Sequence, residues 1–326
     1  MRKRSLFLLS TLALAGAVYI NNASLLSNRP GGKPVVLAHR GLAQEYDRTG
    51  LTGETCTAGR MLPARHDYLE NTIRSMDAAF ARGADVLELD VHATTDGKFA
   101  VFHDWTVDCR TEGSGETRSH SMSDLKKLDV GYGYTADGGK TYPFRGQGVG
   151  LMPSLDEVME QFPDRRFHIN VKSNDAKDGE AMATFLSALP PERQAALTVV
   201  GGDRPLQAIK ATLPGMRTLS KKSLTRCLLR YAGLGWSGYV PEDCRGTTLG
   251  IPINIAPWLW GWPNRLLDRM ENAGTNVYLF GPYDGGGFSD GIDDPAMIET
   301  LPAGYSGGIS TDALDLVMPA IERRAN

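Results

Sequence analysis

The chain of 326 residues lacks several features that would assign it to a class at once. It has almost no excess charge: 35 Lys and Arg stand against 38 Asp and Glu, for a net of -3 and a pI near 6.1. That leaves no basic footprint for a nucleic-acid backbone, and nucleic-acid binding is excluded. Cysteine is scarce, with four residues and no Cys-x-x-Cys spacing, which argues against thiolate metal sites. No internal repeat stands out beyond an alternation of strands and helices. After the first twenty residues, no second apolar run is long enough to span a bilayer.

What is present starts at the N-terminus. Arg2-Lys3-Arg4, the apolar run Leu6 to Ile20 and the small residues Ala15-Gly16-Ala17 have the order of a secretory signal. Residues 1–28 are therefore expected to be a signal peptide or an N-terminal membrane anchor with its linker, and 29–326 the functional domain. The protein is expected to be exported, to a periplasmic or other extracytoplasmic site. An even count of cysteines in such a compartment predicts disulfides. Cys56 lies in an insertion before a hairpin that Cys109 follows, and Cys227 and Cys244 bracket a short excursion, so 56 with 109 and 227 with 244 are the expected pairs.

The chemistry concentrates in Asp85 to Asp104. Val86 to Thr94 reads as a strand, Asp96-Gly97 as a two-residue hairpin turn, and Phe99 to Phe102 as the returning strand. Side chains two apart share a face, so Glu88 and Asp90 point the same way, and the expected register sets Asp90 opposite His103. Two carboxylates inside an apolar strand need a partner, and oxygen ligands of this kind suit Ca²⁺ or Mg²⁺.

The rest of the chain alternates. Val35 to His39 is a short apolar run ending in His39-Arg40-Gly41. Arg166 to Ser173 sets His168, Asn170 and Lys172 on one face. Buried strands are expected near residues 36, 87, 168, 198, 217, 250, 278 and 308, with helices between them, including 178–189, 205–213, 258–273 and 313–324. The fold class is therefore α/β: one (β/α)8 barrel of the TIM type, with a β-hairpin after strand 2 and loop insertions, 44–68 and 108–150, over its C-terminal mouth. Barrel chemistry gathers at the C-terminal strand ends, where His39, Arg40, Glu88, Asp90, Asn170, Lys172 and Asp312 fall. Glu70 reads either as a carboxylate at the start of a helix capped by Asn71 or Thr72, or as a further residue of the mouth.

These residues resemble the glycerophosphodiester phosphodiesterase family from about Val35 to Pro319. The resemblance rests on His39-Arg40-Gly41, Glu70-Asn71-Thr72, Glu88-Leu89-Asp90-Val91, Asp96-Gly97, His103-Asp104, Pro153-Ser154-Leu155-Asp156-Glu157 and Gly308-Ile309-Ser310-Thr311-Asp312. It implies metal-dependent hydrolysis of glycerophosphodiesters to glycerol 3-phosphate and an alcohol, with a cyclic phosphate formed by the neighbouring glycerol hydroxyl and then opened by water. His39 and His103 match the family's general acid and base, Glu88 and Asp90 its cation ligands, and Arg40 a phosphate contact. Lys172 adds positive charge for the phosphodiester anion. Two departures stand out: Asn170 replaces an acidic third cation ligand, and Phe280-Gly281 replaces Trp-Thr on the wall of the mouth. The alternatives are a lysophospholipase D or phospholipase D type activity on membrane lipids, with a membrane partner through the N-terminus, and a non-catalytic phosphodiester-binding module.

Overall fold

The computed structural model describes residues 2–52, 55–285 and 290–325. Its strands are β1 (Val35–His39), β2 (Val86–Ala93), β3 (Phe99–Val101), β4 (Arg166–Val171), β5 (Leu197–Gly201), β6 (Arg217–Leu219), β7 (Thr248–Pro252), β8 (Asn276–Phe280) and β9 (Gly308–Thr311). They run in the order β6-β5-β4-β2-β1-β9-β8-β7, with β3 hanging antiparallel from β2. Between β6 and β7 the ring is joined by a bridge from Thr218 to Thr247, where the Thr247 hydroxyl donates to the Thr218 carbonyl. The result is a nearly closed barrel of eight parallel strands with helices between them, as the alternation predicted.

The two-residue period of the strands sorts their side chains. Val36, Ala38, Leu87, Leu89, Phe167, Ile169, Val199, Leu279 and Ile309 face outward into one apolar cluster with Met76, Phe80, Met182, Leu186, Ile209 and Val317 of the helices. The alternate positions face the barrel axis. Leu37, Val86 and Tyr278 form a small inner cluster, with Phe280 packed against it, and above them come the polar residues of the mouth. Register completes the placement: His39 pairs with Glu88, and Asp90 with Asn170.

Local signals explain most helix starts. Thr72 caps Ile73–Ala81 by accepting from the Ser75 N–H, and Ser154 with Glu157 forms a capping box on Leu155–Gln161. The helix expected over 258–273 begins only at Asn264. Pro257 and Pro263 lack amide donors, and the chain ahead of it makes a short 3-10 turn, Ala256–Trp258, instead.

The hairpin register is one residue away from the expected one. Val91 pairs with Val101 and Ala93 with Phe99, so Asp90 lies opposite Phe102 and not His103. The turn is the cause. Thr94 N–H donates to the Lys98 carbonyl and Gly97 N–H to the Thr94 carbonyl, leaving a three-residue loop in which Gly97 takes φ 75°. A turn followed by a left-handed glycine uses the same Asp-Gly pair as the two-residue loop.

The insertion and the 108–150 loop cover the mouth together. Ala58, Met61 and Leu69 share a second apolar cluster with Val107, Leu125, Val130 and Phe144. Disulfides link Cys56 to Cys109 and Cys227 to Cys244, the expected pairs. Residues Arg2–Asn22 form a helix, and no helix among the described residues is long and apolar enough to cross a membrane.

Candidate active site

The mouth is built on two residues held at positive φ. Arg40, at φ 61°, turns the chain out of β1, and Asn71, at φ 58°, precedes the helix beside it. The Asn71 N–H donates to the Arg40 carbonyl at 2.9 Å. Both conformations are uncommon for residues with a side chain, and such strain persists where the surroundings over-determine it. Gly41, at φ 83°, has no alternative: a Cβ there would sit 2.6 Å from Ser75 Oγ.

The strained pair aims polar groups at Asp90. Asn71 Nδ2 donates to Asp90 Oδ2 at 3.2 Å, and Arg40 Nε lies 3.1 Å from the same oxygen. Lys172 Nζ is 3.5 Å from Asp90 Oδ1, to which Asn170 Nδ2 donates at 3.0 Å. Burial opposes ionisation of Asp90, but Lys172 and Arg40 outweigh it and hold the carboxyl far below the usual range. Glu88 is the opposite case. Burial, then the charge of Asp90, pushes it up to about 7. Its Oε2 is buried without a hydrogen-bond partner, 3.6 Å from His39 Nε2.

That orphaned carboxylate oxygen is the observation that fits a hard cation. Glu88 offers an unused oxygen, and Asp90 beside it supplies further negative charge. Asn170 directs its amide nitrogen at Asp90, so as a ligand it would have to turn and present Oδ1. Cys56, Asp104 and Cys109 also gather potential ligand atoms within 4.8 Å, but both sulfurs are spent in the disulfide.

Each histidine is tied through Nδ1 to an aspartate. His39 Nδ1 meets Asp312 Oδ1, and Arg48 of the insertion reaches over the mouth to hold Asp312 Oδ2 at 2.7 Å and Asp293 at 2.8 Å. His103 Nδ1 is 2.7 Å from Asp104 Oδ1, and Arg110 Nε donates to Asp104 Oδ2 at 2.8 Å. Burial and Arg40 press the His39 pKa down, yet Asp312 and Glu88 outweigh them and it is raised. Burial and Arg40 also act on His103, and there they prevail: its pKa is lowered despite Asp90 and Asp104.

Of the residues singled out from sequence, His39, Glu88, Asp90, Asn170, Lys172, Asp312 and His103 come together at the mouth. Arg40 is 5 % exposed and is engaged by Asp90 and by Glu70, 3.1 Å away. Glu70 thus belongs to the mouth, bridging Arg40 and Arg110, and leaves capping to Thr72. Phe280 stands half-buried at the end of β8, its ring over Gly250. Sequence reasoning missed Arg48, Arg110 and Asn71 as parts of this network, and gave Asp104 no role. Only Asp104, adjacent to His103, and Asn71, adjacent to Glu70, carried a signal.

Fold and site together place two aspartate-bonded histidines and an acidic cluster at the mouth of a (β/α)8 barrel. Residues 39–184 match the model of the glycerophosphoryl diester phosphodiesterase family. The glycerophosphodiester phosphodiesterase of Bacillus subtilis is 39% identical over 114 residues, covering 34% of this chain and 38% of its own length. A crystal structure of the glycerophosphoryl diester phosphodiesterase domain of a Mycobacterium tuberculosis protein superposes with a TM-score of 0.61 at 17% identity, over 90% of this chain and 99% of that one. An Oleispira antarctica phosphodiesterase in complex with its product sn-glycerol-3-phosphate gives 0.54 at 19% identity, over 89% and 97%. Over residues 39–184 the chain is similar to the glycerophosphodiester phosphodiesterase family. The match spans about two fifths of the length of the first curated relatives, 38% and 39%.

Proposed function

We propose that the protein hydrolyses small glycerophosphodiesters, or close lipid-derived relatives, to glycerol 3-phosphate and an alcohol. The observation that carries this reading is the pair of imidazoles, each with Nδ1 fixed by a carboxylate. Nε2 of each ring is then the nitrogen left for proton transfer. In the first step the neighbouring glycerol hydroxyl attacks phosphorus and loses its proton to one ring, and in the second step water attacks. The other ring delivers a proton to the departing alkoxide, and the roles reverse when the cyclic phosphate opens. Lys172 supports the phosphodiester charge. Glu88 and Asp90, with Asn170 turned, would hold a Ca²⁺ or Mg²⁺ ion, which when bound supplies charge neutralisation for the phosphoryl oxygens. Arg40, fixed between Glu70 and Asp90, sets the charge of that cluster. The product-bound Oleispira phosphodiesterase supports glycerol 3-phosphate as the product to look for.

Two disulfides are compatible with an extracytoplasmic protein, and we assign residues 1–28 as export signal or anchor and 29–326 as the catalytic domain. The test is glycerol 3-phosphate release by the full-length protein from a panel of glycerophosphodiesters, with EDTA and with each cation restored. His39→Ala and His103→Ala should each cost about a hundredfold to ten-thousandfold in kcat. Undiminished turnover in both variants would overturn the acid–base roles. Turnover indifferent to EDTA would remove the cation from Glu88.

A further inference from the structure

The flank of the barrel where the N-terminal helix joins it is unusually apolar for a surface. Arg269 binds this junction together: Nη1 donates to Asn22 Oδ1, the Tyr231 hydroxyl and the Gly235 carbonyl at 2.9 to 3.1 Å, and Nη2 to the Asn21 carbonyl at 2.8 Å. The Asn22 amide in turn donates to the Trp236 carbonyl at 2.8 Å. Further along, Asn264 N–H donates to Ser24 Oγ at 2.8 Å, and Arg265 Nη2 to the Leu26 carbonyl at 2.7 Å.

Around the junction stand large exposed side chains: Trp236 is 42 %, Tyr239 51 %, Trp258 84 % and Trp260 37 % exposed, and Leu25, on the joining segment, 95 %. Hydrogen bonds tie Trp236 and Trp260 to the junction. The Trp260 indole donates to the Ala232 carbonyl, and the Tyr231 hydroxyl, already held by Arg269, donates to the Trp260 carbonyl at 2.8 Å. Large exposed apolar side chains gathered about one junction mark a contact site. Trp and Tyr are the residues suited to the boundary between water and hydrocarbon.

The apolar run of the helix explains what covers the patch. Leu6 to Ile20 is about 22 Å long at 1.5 Å per residue, short of a hydrocarbon core of roughly 30 Å. A short apolar segment is accommodated by pulling its flanking interfacial residues into the boundary layer. Here those residues are folded onto the barrel.

We propose that this flank seats on a lipid bilayer, with the N-terminal helix retained and Trp236, Tyr239, Trp258 and Trp260 at the level of the headgroups. The proposal rests on the anchor rather than the cleaved-signal form of residues 1–28, and not on the hydrolytic activity. The test is co-flotation of the full-length protein with phosphatidylcholine vesicles, with and without phosphatidylglycerol, alongside turnover of a soluble glycerophosphodiester. Replacing the four aromatics with Ala should lower partitioning about tenfold or more, with soluble turnover unchanged. Trp258→Ala alone removes the most exposed ring without touching the core, and should lower partitioning measurably. Tryptophan fluorescence should shift to the blue on binding vesicles, in the wild type and not in the four-residue variant. Unchanged partitioning in both variants overturns the proposal. So does a mature chain beginning after Asn22 by mass spectrometry, or self-association through the patch without vesicle binding. Should turnover fail in the wild type, the flotation result stands independently.

Discussion

His39 and His103 are held by the same device, an imidazole bonded to an aspartate that is gripped by an arginine, yet the two chains are built differently. His103, Asp104 and Arg110 lie within eight positions of one another, and the Arg110 side chain is 2% exposed, tied also to Glu70 at 3.0 Å and Thr57 at 2.7 Å. His39, Asp312 and Arg48 come from the first strand, the last strand end and the insertion, and the Arg48 side chain is 31% exposed. The first chain is a buried, local unit fixed to the insertion through Thr57. The second is assembled across the mouth by tertiary contact. Burial and Arg40 press both rings the same way, yet their pKa values move in opposite directions, because Asp312 and Glu88 both bear on His39 and outweigh them.

Breaking the two arginines should separate the chains most clearly. Arg110→Ala takes from the buried Asp104 its arginine, and from Glu70 one of its two, and should cost about 3–5 kcal/mol in urea unfolding. A loss under about 1 kcal/mol would mean that water reaches Asp104. The disulfides offer the next largest contrast. Replacing Cys56 and Cys109 with Ser frees a loop of 53 residues adjoining Arg110 and Thr57, worth about 4 kcal/mol in chain entropy, against about 3 for the 17-residue loop of Cys227 and Cys244. The first pair alone should also lower activity, and equal activity in both double variants would detach the insertion from the site.

Arg48→Ala should cost below about 1 kcal/mol of stability, because the guanidinium is partly solvated, but lower kcat about tenfold with KM little changed. Arg48→Lys should recover part of that loss. An unchanged kcat would show that Asp312 needs no help in aligning His39.

The smallest effect is in pH dependence, read as Tm in EDTA. A raised His39 pKa contributes stability that is complete below its ordinary 6.5 and is lost as pH rises through the folded value. A lowered His103 pKa contributes stability complete above 6.5 and lost as pH falls. His39→Gln should therefore flatten the alkaline limb and His103→Gln the acidic one. Identical profiles would remove the distinction between the rings.

The same contrast sets what could be read from the sequence. Strands such as Val35–His39 and Phe167–Val171 announce themselves through short apolar runs, and their count and alternation were enough for the barrel. Glu88 and Asp90 were legible because a period of two admits only one arrangement of their side chains. Ser154 and Glu157 were legible because a capping box is local. The hairpin register was not, since Asp96-Gly97 serves two turn types and the choice rests on Thr94, whose hydroxyl accepts from the Lys98 N–H at 3.0 Å. Arg48 was hidden for a stronger reason: it lies in an insertion without periodicity, and its partners are 242 to 264 residues away.

The join between β6 and β7 has a consequence for motion. β6 is three residues long and half-buried throughout, and the bridge from Thr218 to Thr247 takes the place of a ladder there. The acid cluster lies across the barrel on β2, whose ladder with β4 runs from Val86 and Arg166 to Val91 and Val171. Amide exchange should be fastest along this join and slowest at β2 and β4. The barrel can then breathe along one side while its histidines keep their spacing, so loosening that join by mutation should alter the protein's lifetime well before it alters its chemistry.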